Sequence, residues 1–124
     1  MNMPYADSDF FLAILKESDW LSRKAETILD EHKNNIWTSC WTLVEILMLA
    51  KEFGLDPEAV IISINKLVRI EGSVNTILSA AHLMKEKGMK TFDALHAVSC
   101  GHDKIISSDS VFDNICIERI KLEA

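Results

Sequence analysis

Short β-branched runs alternating with amphipathic helical stretches predict an α/β fold, with a mostly parallel central sheet and helices on both faces. Three observations carry this. An extended run near the start ends on Asp7 and passes straight into a helix. Two further short strands, residues 36–39 and 104–108, are each followed by helix-start signals. Between the strands, apolar residues recur at helical spacing.

Taken in order, Tyr5-Ala6-Asp7 reads as the end of a strand, and Ser8 or Asp9 caps a helix over residues 8–15 with Phe11, Leu12 and Leu15 on one face. After the polar break at 16–19, Asp19 caps a second helix whose apolar stripe is Leu21, Ala25, Ile28, Leu29 and His32. Asn34-Asn35 ends it, and the strand 36–39 follows. Thr42 opens a helix that Gly54 closes. Asp56-Pro57, an N-cap with proline at the first helical position, starts a helix to about Leu67. Val60, Ile61, Ile62 and Ile64 give that helix more than one apolar stripe, which predicts burial by the core on one side and by a second copy of the chain on the other. Ser73 caps a helix to Gly88 with Ile77, Leu78, Ala81 and Met84 inward, and Thr91 caps the next, to about Cys100. Residues 104–108 form a strand, Asp109 caps a helical turn, and residues 115–122 return as a last strand.

The 124 residues fit one domain with a single core. A net charge of −6 argues against a broad basic face for nucleic acid, so such a contact needs local Lys/Arg clusters or bridging cations. Cys40, Cys100 and Cys116 are odd in number and widely spaced, which suits reduced core thiols. With no secretory signal or membrane-length apolar run, the expected location is cytoplasmic, with no membrane contact.

The chemistry is expected in four acids: Asp7, Glu45, Asp93 and Asp109. Each has a bland reading. Glu45 follows Thr42 by three, a capping-box pattern; Asp93 near a helix start favours the helix dipole; Asp109 is a good N-cap. What these readings do not explain is the shared address. Asp7 and Asp109 leave strands at the same sheet edge, where open α/β folds bind ligands, and Glu45 and Asp93 lie early in helices that begin near it. Carboxylates gathered without Lys or Arg beside them in sequence call for a hard divalent cation, and oxygen ligands favour Mg²⁺ or Mn²⁺. Without metal, crowding these four with Asp9 at one sheet edge should raise the pKa of at least one of the five.

With these motifs in order, the sequence resembles a PIN domain, close to the VapC-type toxin ribonucleases. The matching stretches are Tyr5-Ala6-Asp7-Ser8-Asp9, Thr42-Leu43-Val44-Glu45-Ile46, Thr91-Phe92-Asp93-Ala94-Leu95-His96-Ala97 and Ile106-Ser107-Ser108-Asp109, and the likeness spans nearly the whole chain, residues 1–124. It implies a Rossmann-like sandwich, Mg²⁺- or Mn²⁺-dependent cleavage of RNA, a homodimer, and a cognate antitoxin as partner. Residue by residue it assigns Asp7, Glu45, Asp93 and Asp109 to the acidic positions, and Ser8 and Ser107 to hydroxyl positions near the metal. Asp9 departs from the pattern, standing where toxins usually carry Asn.

Other residues have weaker claims. His96, three after Asp93, reads first as a satisfied helix histidine. The cysteines with His96 and His102 lack zinc spacing. Trp20, Trp37 and Trp41 read as core or interface rather than base-stacking platforms, and Lys85, Lys87 and Lys90 as a solvated helix end. Two rivals stand beside the ribonuclease. Asp7-Ser8-Asp9 is similar to the Asp-x-Asp opening of dehalogenase-like phosphatases, but the supporting Lys and later acidic pair are missing. A PIN-like module binding RNA or protein without catalysis is the other.

Overall fold

A computed structural model describes residues 3–16, 20–115 and 117–123. The proposed cap Asp19 and the thiol Cys116 lie outside them. The order is β1 (Tyr5–Ala6), α1 (Ser8–Leu15), α2 (Ser22–Glu31), β2 (Trp37–Ser39), α3 (Cys40–Ala50), α4 (Pro57–Leu67), β3 (Arg69–Glu71), α5 (Val74–Lys87), α6 (Thr91–Cys100), β4 (Ile105–Ser107), a 3-10 turn (Ser110–Ile115) and β5 (Arg119–Lys121). All described strand pairs are parallel, in the order β3-β2-β1-β4-β5. This is a parallel α/β sheet, as the sequence predicts. The chain winds outward from β1 through β2 to β3, then crosses back to β4, so the direction of winding reverses between β1 and β4. A crevice opens at such a switch point, beyond the carboxyl ends of the strands.

Strand alternation sends successive side chains to opposite layers. Ala6, Ile36 and Ile106 pack on one face with Phe10, Phe11, Ile28, Ile46, Val60 and Ile64. Tyr5, Trp37 and Ile105 pack on the other with Ala97, Cys100 and Phe112. Burial on both faces is what an all-parallel sheet requires.

Several expectations are corrected. Thr42 does not open α3, which starts two residues earlier at Cys40; its side chain is buried and bonded within the core. Thr91 lies inside α6 rather than capping it. The sequence reading missed β3, whose three residues Arg69–Glu71 carry no buried side chain. In α4, Asp56 caps as expected, accepting from the backbone N–H groups of Glu58 and Ala59 at 3.0 and 3.2 Å. Of its wide apolar surface, Val60 and Ile64 are buried in this chain's own core as expected, while Ile62 is 49% exposed. α5 is turned relative to expectation. Ala80 is its buried residue, while Ile77, Leu78 and Met84 are exposed.

Candidate metal centre at the β1/β4 crevice

β1 ends at Ala6, and Asp7 sits at the N-cap position of α1 in an extended backbone conformation, its side chain making no cap hydrogen bond. Its carboxylate is held from both sides instead. Ser8 Oγ donates to Oδ1 at 3.1 Å, and Ser107 Oγ, at the end of β4, donates to Oδ2 at 2.7 Å. Ser107 Oγ also accepts from the Asp109 backbone N–H at 3.0 Å. The hydroxyl therefore ties the ends of β1 and β4 together and fixes where Asp109 begins. Asp109 Oδ1 accepts from the Val111 N–H at 3.0 Å. This is the cap read from sequence, and it leaves Oδ2 uncommitted among the described hydrogen bonds.

Asp9 lies one helical step further in. Its Oδ2 accepts from the Ser108 N–H at 2.8 Å and from the Ser108 hydroxyl, while its buried Oδ1 has no protein partner. Burial and then the neighbouring Asp7 push this carboxyl up to about 7, against the lowering effect of Ser108. In the first turn of α6, burial raises the Asp93 carboxyl, and the charges of Asp109, Asp7 and Glu45 raise it further. The expected upward shift is therefore found in Asp9 and Asp93.

Glu45 is half-buried on α3. Its carboxylate lies 2.8 Å from His96 Nε2, so the capping-box reading of Glu45 does not hold. His96 is the residue that the sequence reading underweighted. It is only 1% exposed, with Nε2 3.7 Å from Asp7 Oδ1 and Nδ1 2.7 Å from the Tyr5 hydroxyl. The Tyr5 oxygen, Glu45 and Asp7 hold the imidazole up at about 10, although burial pulls the other way. The signal was available: His96 follows Asp93 by three in one helix, and Tyr5 precedes Asp7 by two along one extended stretch, so each pair shares a face.

Asp7, Glu45 and His96 each offer one ligand atom within 4.8 Å of the others. Around them, the acids' one ion-pair partner among the described residues is His96; no Lys or Arg pairs with Asp7, Asp9, Glu45, Asp93 or Asp109. Half-buried carboxyls with raised pKa, an orphaned Asp9 oxygen and an oxygen-rich donor set fit a hard divalent cation. The other candidates fall elsewhere. Cys100 is buried and its thiol is pushed up to about 12 by burial, which makes it inert. Trp37 is in the core, whereas Trp20 is 78% exposed, which excludes a core role for it within this chain.

These features define an open parallel α/β protein with an acidic crevice at its switch point. The sequence profile of the PIN domain matches residues 5–118, and the chain belongs to that family. Two solved structures are similar in fold. A toxin-antitoxin complex from Klebsiella pneumoniae aligns at 17% identity and TM-score 0.70, over 91% of this chain and 92% of that one. VapBC2 from Rickettsia felis, bound to a DNA fragment from its promoter, aligns at 12% identity and TM-score 0.69, over 94% and 96%. No curated protein matches the chain.

Proposed function

We propose that this chain, as a single domain, is a divalent-metal-dependent endoribonuclease and the toxin of a toxin-antitoxin pair. The observation that carries this is the convergence of acids from four elements on one crevice without a Lys or Arg to neutralise them. Asp7 and Asp109 are assigned as direct ligands of Mg²⁺ or Mn²⁺, and Asp93 and Glu45 as direct or water-mediated ones. Ser8, Asp9 and Ser107 form the surrounding shell. Held there by these residues, the ion would supply a water of lowered pKa and would offset charge on the leaving oxygen of an RNA phosphodiester. The protein's part is geometric. Ser8 and Ser107 fix the Asp7 carboxylate, and Glu45, partly open to solvent, would orient the attacking water.

Toxin-antitoxin neighbours in fold space support an antitoxin as protein partner. The homodimer is assigned to α3 and α5, each of which exposes more large apolar side chains than α4, where Ile62 and Leu67 are exposed. Val44, Leu47 and Met48 on α3 and Val74, Ile77 and Leu78 on α5 are exposed. Trp41 and Ile77 line one apolar hollow, which makes the two helices' outer faces continuous. Among the described residues, no helix is long and apolar enough to cross a membrane.

A fluorogenic RNA substrate with Mn²⁺, with EDTA, and with an Asp7→Asn control tests the nuclease. Cleavage that survives EDTA or Asp7→Asn overturns the site, and no cleavage by wild type favours the non-catalytic module. Light scattering at micromolar concentration tests the dimer, which a purely monomeric profile would rule out.

A further inference from the structure

Behind the acids runs a chain of buried polar groups to which the proposed cleavage gives no task. The Thr38 hydroxyl lies 2.6 Å from the Ala6 carbonyl and 2.7 Å from Thr42 Oγ1. Thr42 Oγ1 is 3.2 Å from the Tyr5 hydroxyl, which is also 2.7 Å from Ser39 Oγ and 2.7 Å from His96 Nδ1. On its far side the imidazole meets Glu45 Oε1 at 2.8 Å. The relay thus begins on the backbone of the central strand and ends on one oxygen of one crevice acid. Tyr5, Ser39, Thr38, Thr42 and His96 are all buried, so each group depends on its neighbours for its hydrogen bonds.

The chemistry of the last link decides what His96 can do. An ionised carboxylate only accepts, so an imidazole nitrogen 2.8 Å from it carries a proton. In the neutral ring, Nδ1 then accepts from Tyr5; in the charged ring, Nδ1 donates to the Tyr5 oxygen. Either way Nε2–H points at Glu45, and Nε2 has no lone pair to offer a cation. The closeness of Nε2 to both Asp7 and Glu45 gives the trio the spacing of a metal site, but one of its three members is committed elsewhere.

We propose that His96 is a positioning residue and not a ligand: anchored by Tyr5, it holds Glu45 through an Nε2–H···Oε1 hydrogen bond, so that the other carboxylate oxygen is presented to the cation beside Asp7. The proposal rests on the cation reading above. Ligating carboxylates are commonly oriented by such outer partners, and losing one costs about 10- to 100-fold in metal affinity.

Two measurements test it. In metal-free wild type, nitrogen-15 NMR of the histidine rings should find His96 Nε2 protonated at neutral pH, and still protonated after Mg²⁺ is added. A bare Nε2, or loss of its proton on adding Mg²⁺, overturns the proposal. Calorimetry with Mn²⁺ should find binding weakened about 10- to 100-fold in His96→Leu, less in Tyr5→Phe, and partly restored in His96→Gln, which can still donate to Glu45. Pulsed EPR of bound Mn²⁺ should show no directly coordinated nitrogen. Equal Mn²⁺ affinity in wild type, His96→Leu and Tyr5→Phe, or a nitrogen ligand in the EPR, overturns it. Wild type that binds no Mn²⁺ overturns the cation reading itself, a result distinct from wild type and variants binding alike.

Discussion

Two groups of carboxylates sit side by side at the carboxyl edge of this sheet and are handled in opposite ways. At β5, the Arg119 guanidinium grips Asp113 with two hydrogen bonds of 3.0 and 2.9 Å, reaches Glu123 at 2.9 Å, and donates to the Ser107 carbonyl at 3.0 Å. The hydrogen bonds from Arg119 hold Asp113 below the usual carboxylate range. Glu123 is also lowered, its own backbone hydrogen bond and Arg119 outweighing burial. Beyond the ends of β1 and β4, Asp7, Asp9, Glu45, Asp93 and Asp109 have only His96 as an ion-pair partner among the described residues, and Asp9 and Asp93 are raised. The same edge can neutralise its acids with arginine, and at β5 it does. The crevice keeps negative charge that folding alone leaves uncompensated, which is the condition for taking up a cation from solution.

The strongest test of that contrast is activity. Asp7→Asn should cut Mn²⁺-dependent RNA cleavage by about 100-fold or more, the scale of losing one electrostatic group from a site, with the circular dichroism spectrum unchanged. Wild-type rates from the variant would erase the difference between the two groups. Next comes metal-linked stability. Cation that binds only the folded crevice should stabilise wild type by about 2.7 kcal/mol when free Mn²⁺ is about 100-fold above its dissociation constant. Asp93→Asn should melt higher than wild type in EDTA and gain less from Mn²⁺, whereas Arg119→Met should melt lower yet gain as much as wild type. Equal Mn²⁺ shifts in wild type and Asp93→Asn would leave Asp93 as a helix-dipole residue only.

A smaller effect separates the groups by pH. Asp9 has a raised folded value, so its contribution is full below the unfolded value of 3.8 and is lost as pH climbs to about 7. Asn at this position keeps an acceptor for Ser108 and has no charge to bury. Asp9→Asn should therefore raise the metal-free melting temperature at neutral pH by about 5 °C and flatten its decline between pH 4 and 7. Unchanged pH dependence would show that Asp9 is not the titrating group. The Arg119 group has the reverse sign. Its acids are lowered, so its contribution is present above their unfolded values and is lost as pH falls into the more acid range. The smallest expected change is that of Asp113→Asn at neutral pH. Asp113 faces solvent, where water and salt screen the pair, and a melting shift as large as that of Asp9→Asn would contradict this.

What could be read from the sequence followed from rules tied to backbone position. Asp7 and Asp109 were found because a strand-to-helix handover fixes where the next side chain goes, and Asp56-Pro57 marked a helix start that holds in detail. Failures came where a pattern admits two faces. α5 carries apolar residues on more than one side, and only packing against α6 decides that Ala80 turns inward and Leu78 outward. β3 is too short, with no side chain buried, for alternation to register. Thr42 followed by Glu45 matches a capping box as well as it matches two side chains on one face of α3 turned toward Tyr5 and His96. Spacing cannot separate these, because both require residues three apart on one helix.

The hydrogen bond between Ser107 and Asp7 spans 100 residues. A chain made from its N-terminus at about 5–20 residues per second therefore carries a finished Asp7, Ser8 and Asp9 for about 5–20 s before β4 has been synthesised. For that interval the first acids have no second wall. A ribosome making this protein is exposed to no assembled crevice until β4 has been synthesised, and any fragment released before Ser107 lacks the strand that closes it.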